Sequence, residues 1–376
     1  MTGRHPLKGL GDVWDAATAP LWALRIRHPV IWRFACSVVL TSLALLGTYF
    51  VDPNTNYNMA IAASMSIVIL GLSFLTGASG QVSLGNGAFM GVGAFTMAIW
   101  ANHHTTTPIA VTLVISLAAG GAVGLLIGLP ATRLRGPYLA GMTITFALAF
   151  PNLLTLFNSW TGGDSGLQLP TLVAAPQWLV DLLGPGASAL APDDMWYADI
   201  CIVTVGIAFF LMANLFSSRT GRAMRLVRDN EVAAELAGVS LPHARVLAFV
   251  VSAAYAGLGG ALATIVSNSV SPSTYNLSLS ITILSLLVIG GMGTLSGALI
   301  GGVIFAYSGS GVTWIVNQTG IDPYGNLATN LSGIIFGALL MVTILIAPFG
   351  IAGTTKMLTG RASQKRRAAR LLPSRS

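Results

Sequence analysis

The nearest approach to a reactive cluster in this sequence is the pair His103–His104, and no acidic residue stands beside it. General acid–base or metal-assisted chemistry needs a carboxylate or further ligands within reach of such a pair. Solvated loop histidines are the simpler reading. Cys36 and Cys201 both lie in apolar runs, so they offer neither a CxxC metal motif nor a disulfide framework. A phosphate-cradling loop must end in Gly-Lys-Ser/Thr, and Lys8, Lys356 and Lys365 follow no such turn. With no catalytic set, metal set or ATP site of its own, the chain must draw energy from a partner or from a gradient.

Protein contact is a better use for residues 219–242, RTGRAMRLVRDNEVAAELAGVSLP. Asp229 or Asn230 can cap a short helix, with Glu231 in its first turn where negative charge suits the helix dipole. Val232, Ala233, Leu236 and Ala237 then share an apolar face, and Gly238 can end the helix in the left-handed conformation. Four arginines precede it. A positive inner loop explains the arginines but not a capped helix stopped by glycine.

The elements that carry these residues are membrane spans. Of 376 residues 54% are hydrophobic and only 8% charged, where a soluble domain carries about a quarter charged. Apolar runs of about 20 residues recur along the chain. They read as ten segments, near 31–50, 58–78, 85–101, 108–131, 137–157, 197–216, 243–267, 277–292, 296–316 and 329–348. With the N-terminus inside, all 19 Lys and Arg fall on the inner side or at its boundary. The outer loops then hold none, while Asp52, Asp164, Asp181, Asp193, Asp194 and Asp322 lie there. The net charge of +7 therefore reflects orientation and anionic lipid rather than nucleic acid.

The expected organisation is a cytoplasmic segment at 1–30, a transmembrane domain at 31–350 and a basic cytoplasmic tail at 351–376. Within the domain, 158–196 is an extracytoplasmic loop and 217–242 a cytoplasmic one. The polar N-terminal stretch lacks the pattern of a cleavable signal. Small residues four apart, such as Gly120, Gly124 and Gly128, Gly293, Gly297 and Gly301, or Gly333 and Gly337, predict close helix packing. The glycine-rich stretches 77–93 and 290–302 look alike. No Lys, Arg, Glu or His sits within an apolar core, and Asp199 lies only at the outer end of a span. That weakens a proton-coupled carrier, which needs a relay. It leaves open a sodium-coupled carrier using backbone carbonyls at a broken helix.

Several blocks in order resemble the permeases of high-affinity branched-chain amino-acid ABC importers, of the longer LivM type, over residues 58–350. They are TGASGQVSLGNGAFMGVGAF at 76–95, GPYLAGMTITFALAF at 136–150, TGGDSGL at 161–167, RLVRDNEVAAELAGVSLPHARVLAFVVSAAYAGLGGAL at 225–262 and SLLVIGGMGTLSGALIGG at 285–302. Departures occur at Asn86–Gly87, where the family often has His or Ala after Ser-Leu-Gly, and at the small residues of 138–142.

The resemblance implies an all-α integral membrane protein of about ten transmembrane helices with both termini cytoplasmic, the ABC importer permease fold. It implies a bacterial inner-membrane location, a second LivH-like permease, two cytoplasmic ATPases that bind the ATP, and an extracytoplasmic solute-binding protein. It makes Asp229, Glu231, Glu235 and Gly238 the coupling-helix residues that meet an ATPase. Gln81, Ser83 and Asn86 become candidates for the translocation path, with hydrogen bonding inside a broken helix as their structural alternative. Thr161, Gly162, Gly163 and Gly166 become candidates for the outer mouth. The solute would be a branched-chain or related amino acid, and relatives moving urea, amides or sugars widen the range. A secondary carrier and a membrane enzyme remain the alternatives from other classes.

Overall fold

Leu241–Ser267 is the helix around which the others gather, and its sequence explains why. It carries Gly257, Gly259 and Gly260 within an otherwise apolar run, so neighbouring backbones can approach it on several sides. The computed structural model describes residues 29–104, 107–131, 137–169 and 192–319, with Met341, Gly350, Ala352 and Gly353. In chain order the helices before this one are α1 (Pro29–Thr48), α2 (Pro53–Ser79), α3 (Asn86–His103), α4 (Ile109–Ala131) and α5 (Pro137–Leu156). Then come the single turn α6 (Asn158–Thr161), α7 (Pro192–Ser217), α8 (Arg219–Asp229) and α9 (Glu231–Leu236). Leu241–Ser267 is α10, followed by α11 (Leu277–Gly290) and α12 (Leu295–Thr319).

Nine of the ten expected apolar segments coincide with these helices; the tenth, 329–348, lies outside the described residues. Among the described residues, six helices are long and apolar enough to cross a membrane: α1, α2, α4, α5, α7 and α10. The apolar parts of α11 and α12, Leu277–Gly290 and Leu295–Ser308, are shorter. The interior belongs to α2 and α10, with 83% and 61% of their apolar stretches buried against 6% for α1. Helices exposed in this way leave apolar surface for lipid or for other chains.

Glycines do the expected close packing. A Cβ on Gly93 of α3 would sit 1.9 Å from the Gly257 carbonyl oxygen, and one on Gly124 of α4 would lie 2.4 Å from the Ala253 Cβ. The two look-alike glycine stretches meet each other: a Cβ on Gly77 would fall 2.2 Å from the Gly293 Cα. Gly333 and Gly337 lie outside the described residues.

The fold is helical as expected, with one small addition: Leu167–Gln168 (β1) pairs antiparallel with Ser269–Val270 (β2), in register Leu167↔Val270 and Gln168↔Ser269. Strands of two residues leave no periodicity to read. This ribbon closes the far end of α10, where Asn268 takes a left-handed φ of 52°.

Candidate functional site

At the start of α10 the chain builds a folded connection rather than a loop. Ser218 caps α8 by accepting from the Gly221 N–H, and Gly221, Met224 and Val227 turn inward at helical spacing. The arginines on the opposite side close the ends of other helices. Arg222 donates to the Ser217 carbonyl at 2.7 Å and Arg225 to the Phe216 carbonyl at 3.1 Å, both in the last turn of α7. Arg228 reaches the Gly77 carbonyl near the end of α2 and lies over Gly80, whose φ of 73° stops that helix. Carbonyl ends carry partial negative charge and lack helical donors. The positive cluster therefore serves helix termination, a role that charge counting alone does not reveal.

The short helix α9 follows. Its N-cap is Asn230, whose side chain accepts from the Ala233 N–H at 3.0 Å. Asp229 is not part of it: that residue ends α8 and pairs with Arg228 at 2.9 Å. The correction has a physical basis, because Asn230 adopts the extended conformation that a cap requires and Asp229 remains helical. Gly238, at φ 78°, stops the helix with Val239 N–H donating to the Ala234 carbonyl and Gly238 N–H to that of Glu235. These are the paired bonds of a Schellman motif. Ala234 is fully buried in a small cluster with Val227 and Leu241, while Val232 is 66% and Leu236 86% exposed. Glu231 pairs with Arg245 of α10, and Glu235 is exposed. The expected apolar face, Val232, Ala233, Leu236 and Ala237, is thus turned mostly outward, and it is Ala234, outside that face, that packs against the protein.

Between α2 and α3, residues 80–85 leave helical geometry, with Gln81, Ser83 and Gly85 buried and Gly80 and Val82 exposed. Gln81 donates to the Arg245 carbonyl at 3.4 Å, and Ser83 Oγ accepts from the Gly85 N–H at 3.3 Å. The Thr143 hydroxyl of α5 accepts from Leu84 N–H, and that of Ser280 in α11 accepts from Gly87 N–H. Asn86, the first residue of α3, is 1% exposed, and neither its Oδ1 nor its Nδ2 has a partner. Gln81, Ser83 and Asn86 are therefore brought to one broken-helix junction. Sequence reasoning missed Thr143 and Ser280 there, since each is an ordinary hydroxyl within an apolar helix. A separate apolar cleft of about 560 Å³ lies between α4, α7 and α10, lined by Leu113, Leu117, Ile200, Val203 and Tyr255 among others, and includes none of these junction residues.

Thr161, Gly162, Gly163 and Gly166 gather at the ribbon end. Thr161 is buried and donates to the Leu154 and Phe157 carbonyls. The three glycines all have positive φ, at 71°, 59° and 71°, and a Cβ on Gly166 would meet the Val270 oxygen at 2.0 Å. Backbone geometry accounts for these residue types. Beneath them Tyr275 is buried, and desolvation pushes its hydroxyl up to about 12 against the opposing hydrogen bond from Thr264. His103 stacks near Trp160 and His104 beside Trp100, and no metal-holding group of His, Cys, Asp or Glu exists among the described residues. Asp199 is buried and accepts from Thr48 at 2.9 Å.

Six membrane-length helices among the described residues define a multi-pass membrane protein, and its family match makes it one of the transport permease class. The chain belongs to the family described as branched-chain amino acid transport system / permease component, which matches residues 55–344. It is 28% identical over 291 residues to the high-affinity branched-chain amino acid transport system permease protein LivM of Escherichia coli K12, covering 72% of this chain and 66% of the relative. The Salmonella typhimurium LivM protein is 30% identical over 255 residues, covering 64% of this chain and 60% of the relative. The LivH permease of Salmonella typhimurium is 28% identical over 207 residues, covering 55% and 62%. The chain thus spans slightly under two thirds of the LivM relatives it matches. No solved structure matches it.

Proposed function

We propose that this chain is the LivM-type permease subunit of an ATP-driven importer in a bacterial inner membrane, carrying branched-chain or related amino acids by alternating access. The observation that carries the reading is α9. Val232 and Leu236 stand exposed on a helix held by an Asn cap, a glycine stop and the Glu231–Arg245 pair. Ordered apolar residues on a short helix are suited to a groove on another protein. In this reading that protein is a cytoplasmic ATPase, with Glu231, Glu235 and Gly238 in the contact helix and Asp229 at its approach. The assembly would hold a second, LivH-like permease, two ATPases that bind the ATP, an extracytoplasmic binding protein and surrounding lipid. Ten spans with both termini inside complete the topology. Similarity to relatives named LivM and LivH supports the pairing and the solute class.

The test is gentle detergent isolation of the tagged chain from its own membranes with mass spectrometry, followed by uptake of tritiated leucine in proteoliposomes. Recovery of a sister permease and ATPases, with uptake that requires ATP and the binding protein, is the expected result. A chain recovered alone that transports without ATP would make it a secondary carrier instead.

A further inference from the structure

Asn86 is the one side chain among the described residues in which both polar atoms are buried and unpartnered. The hydroxyls around it are already engaged: Ser83 with Gly85, Thr143 with Leu84 and with the Ala140 carbonyl, and Ser280 with Gly87. A buried carboxamide normally finds partners, because desolvation without them is costly. We infer that the Asn86 carboxamide is the seat for the charged head group of an α-amino acid, its NH2 donating to the carboxylate and its carbonyl accepting from the ammonium.

Three features fit that ligand. A primary amide is neutral and presents donors and acceptors together, so it can meet a zwitterion without burying a net charge. Asn86 also opens the 18-residue helix α3, whose N-terminal end favours the carboxylate. Rings stand beside the turn: a Cβ on Gly85 would lie 3.5 Å from both Phe89 and Phe146, whose centroids are 5.1 Å apart. An aliphatic side chain has apolar surface there to pack on. At 1% exposure the seat is shut, so solute reaches it only when α3 and its neighbours part.

The inference rests on the importer reading, and the assay separates the two. The probe is tritiated leucine, taken up by proteoliposomes holding the whole transporter, its binding protein and ATP. Failure of the wild type to take up leucine would remove the importer reading for this solute class. With wild-type uptake in hand, Asn86→Leu keeps size and deletes both polar atoms. We expect a loss of at least about tenfold in uptake at low leucine, with subunit recovery and melting unchanged, since removal of unpaired polar atoms costs the fold nothing. Uptake within about twofold of wild type overturns the inference, as a merely structural amide would tolerate the change. Asn86→Ala decides the matter if the leucine variant fails to assemble, since it deletes both polar atoms without adding bulk. The same loss of at least about tenfold in uptake at low leucine is expected, and uptake within about twofold of wild type overturns the inference.

Discussion

The two ends of α10, about 40 Å apart for a 27-residue helix, solve the same problem by opposite means. At the start, α7, α8 and α9 must turn the chain outside the bundle. They do so largely with side chains: three arginines on helix-end carbonyls, an Asn cap and two ion pairs, with Gly238 as a positive-φ stop. At the finish, residues 161–169 and 268–276 turn chiefly on backbone geometry, through three positive-φ glycines and a two-residue ribbon, with the Thr161 and Asn276 side chains tying the ends. Side-chain closure leaves an outward surface free to vary, and Val232 and Leu236 occupy it. Backbone closure fills its own space and leaves no room at Gly166. The first arrangement suits a docking element and the second a fixed plug.

The comparison breaks most sharply at the exposed pair. Val232→Glu with Leu236→Glu should abolish ATP-driven uptake, by at least about a hundredfold given the cost of burying unpaired carboxylates in an interface. Melting in detergent should not move, because neither side chain packs against the protein. Normal uptake would mean that α9 meets nothing. Gly238→Pro should match that loss for a different reason, since proline cannot adopt φ 78° or donate to the Glu235 carbonyl.

At the ribbon the expected effect is on stability. Gly166 has φ 71° and ψ −162°, a region open essentially to glycine, and its added Cβ would strike the Val270 oxygen. Gly166→Ala should cost about 3 kcal/mol, combining backbone strain with overpacking. A thermal melt of the assembled transporter measures it, and an unchanged melt would show that the ribbon yields. Arg228→Ala should cost less, about 1 kcal/mol. A charge-assisted bond to a helix-end carbonyl is worth more in isolation, but this side chain is 41% exposed and screened. Arg228→Lys should recover part of it, keeping charge while losing the guanidinium reach.

What was legible in the sequence follows the strength of each physical signal. Apolar length exposed nine helices, since lipid demands continuous apolar runs. Gly238 was legible as a helix stop because its spacing from Asn230 fits one short helix and nothing else. The junction at 80–86 was visible as a polar, glycine-rich interruption, but its partners were not. Thr143 and Ser280 lie 57 and 194 residues from Asn86 in sequence, and only tertiary packing brings such hydroxyls to Leu84 and Gly87. The arginines were read as an orientation signal. Their service to helix ends depends on where α2 and α7 finish relative to α8, which composition does not encode. The ribbon was hidden because two-residue strands have no period.

The smallest effect sharpens the contrast between the two ends most cleanly, because it compares glycines of similar φ. Gly238 at 78° and Gly166 at 71° both exclude ordinary side chains on backbone grounds. They differ in surroundings, and Gly166 adds the strain of its ψ of −162°: a Cβ on Gly238 meets nothing within 4 Å, whereas one on Gly166 meets three backbone atoms within 3 Å. Gly238→Ala should therefore cost only the left-handed strain, about 1 kcal/mol. Gly238→Asn should cost less again, since asparagine tolerates that conformation. Melting curves of Gly238→Ala and Gly166→Ala in one detergent give the test. A clear gap between them shows that the Gly238 end of α9 has open space around it, as an outward docking face requires. Equal losses would mean that the connection at the start of α10 is packed as tightly as the ribbon, and the outward face of α9 would lose its claim to be a docking surface.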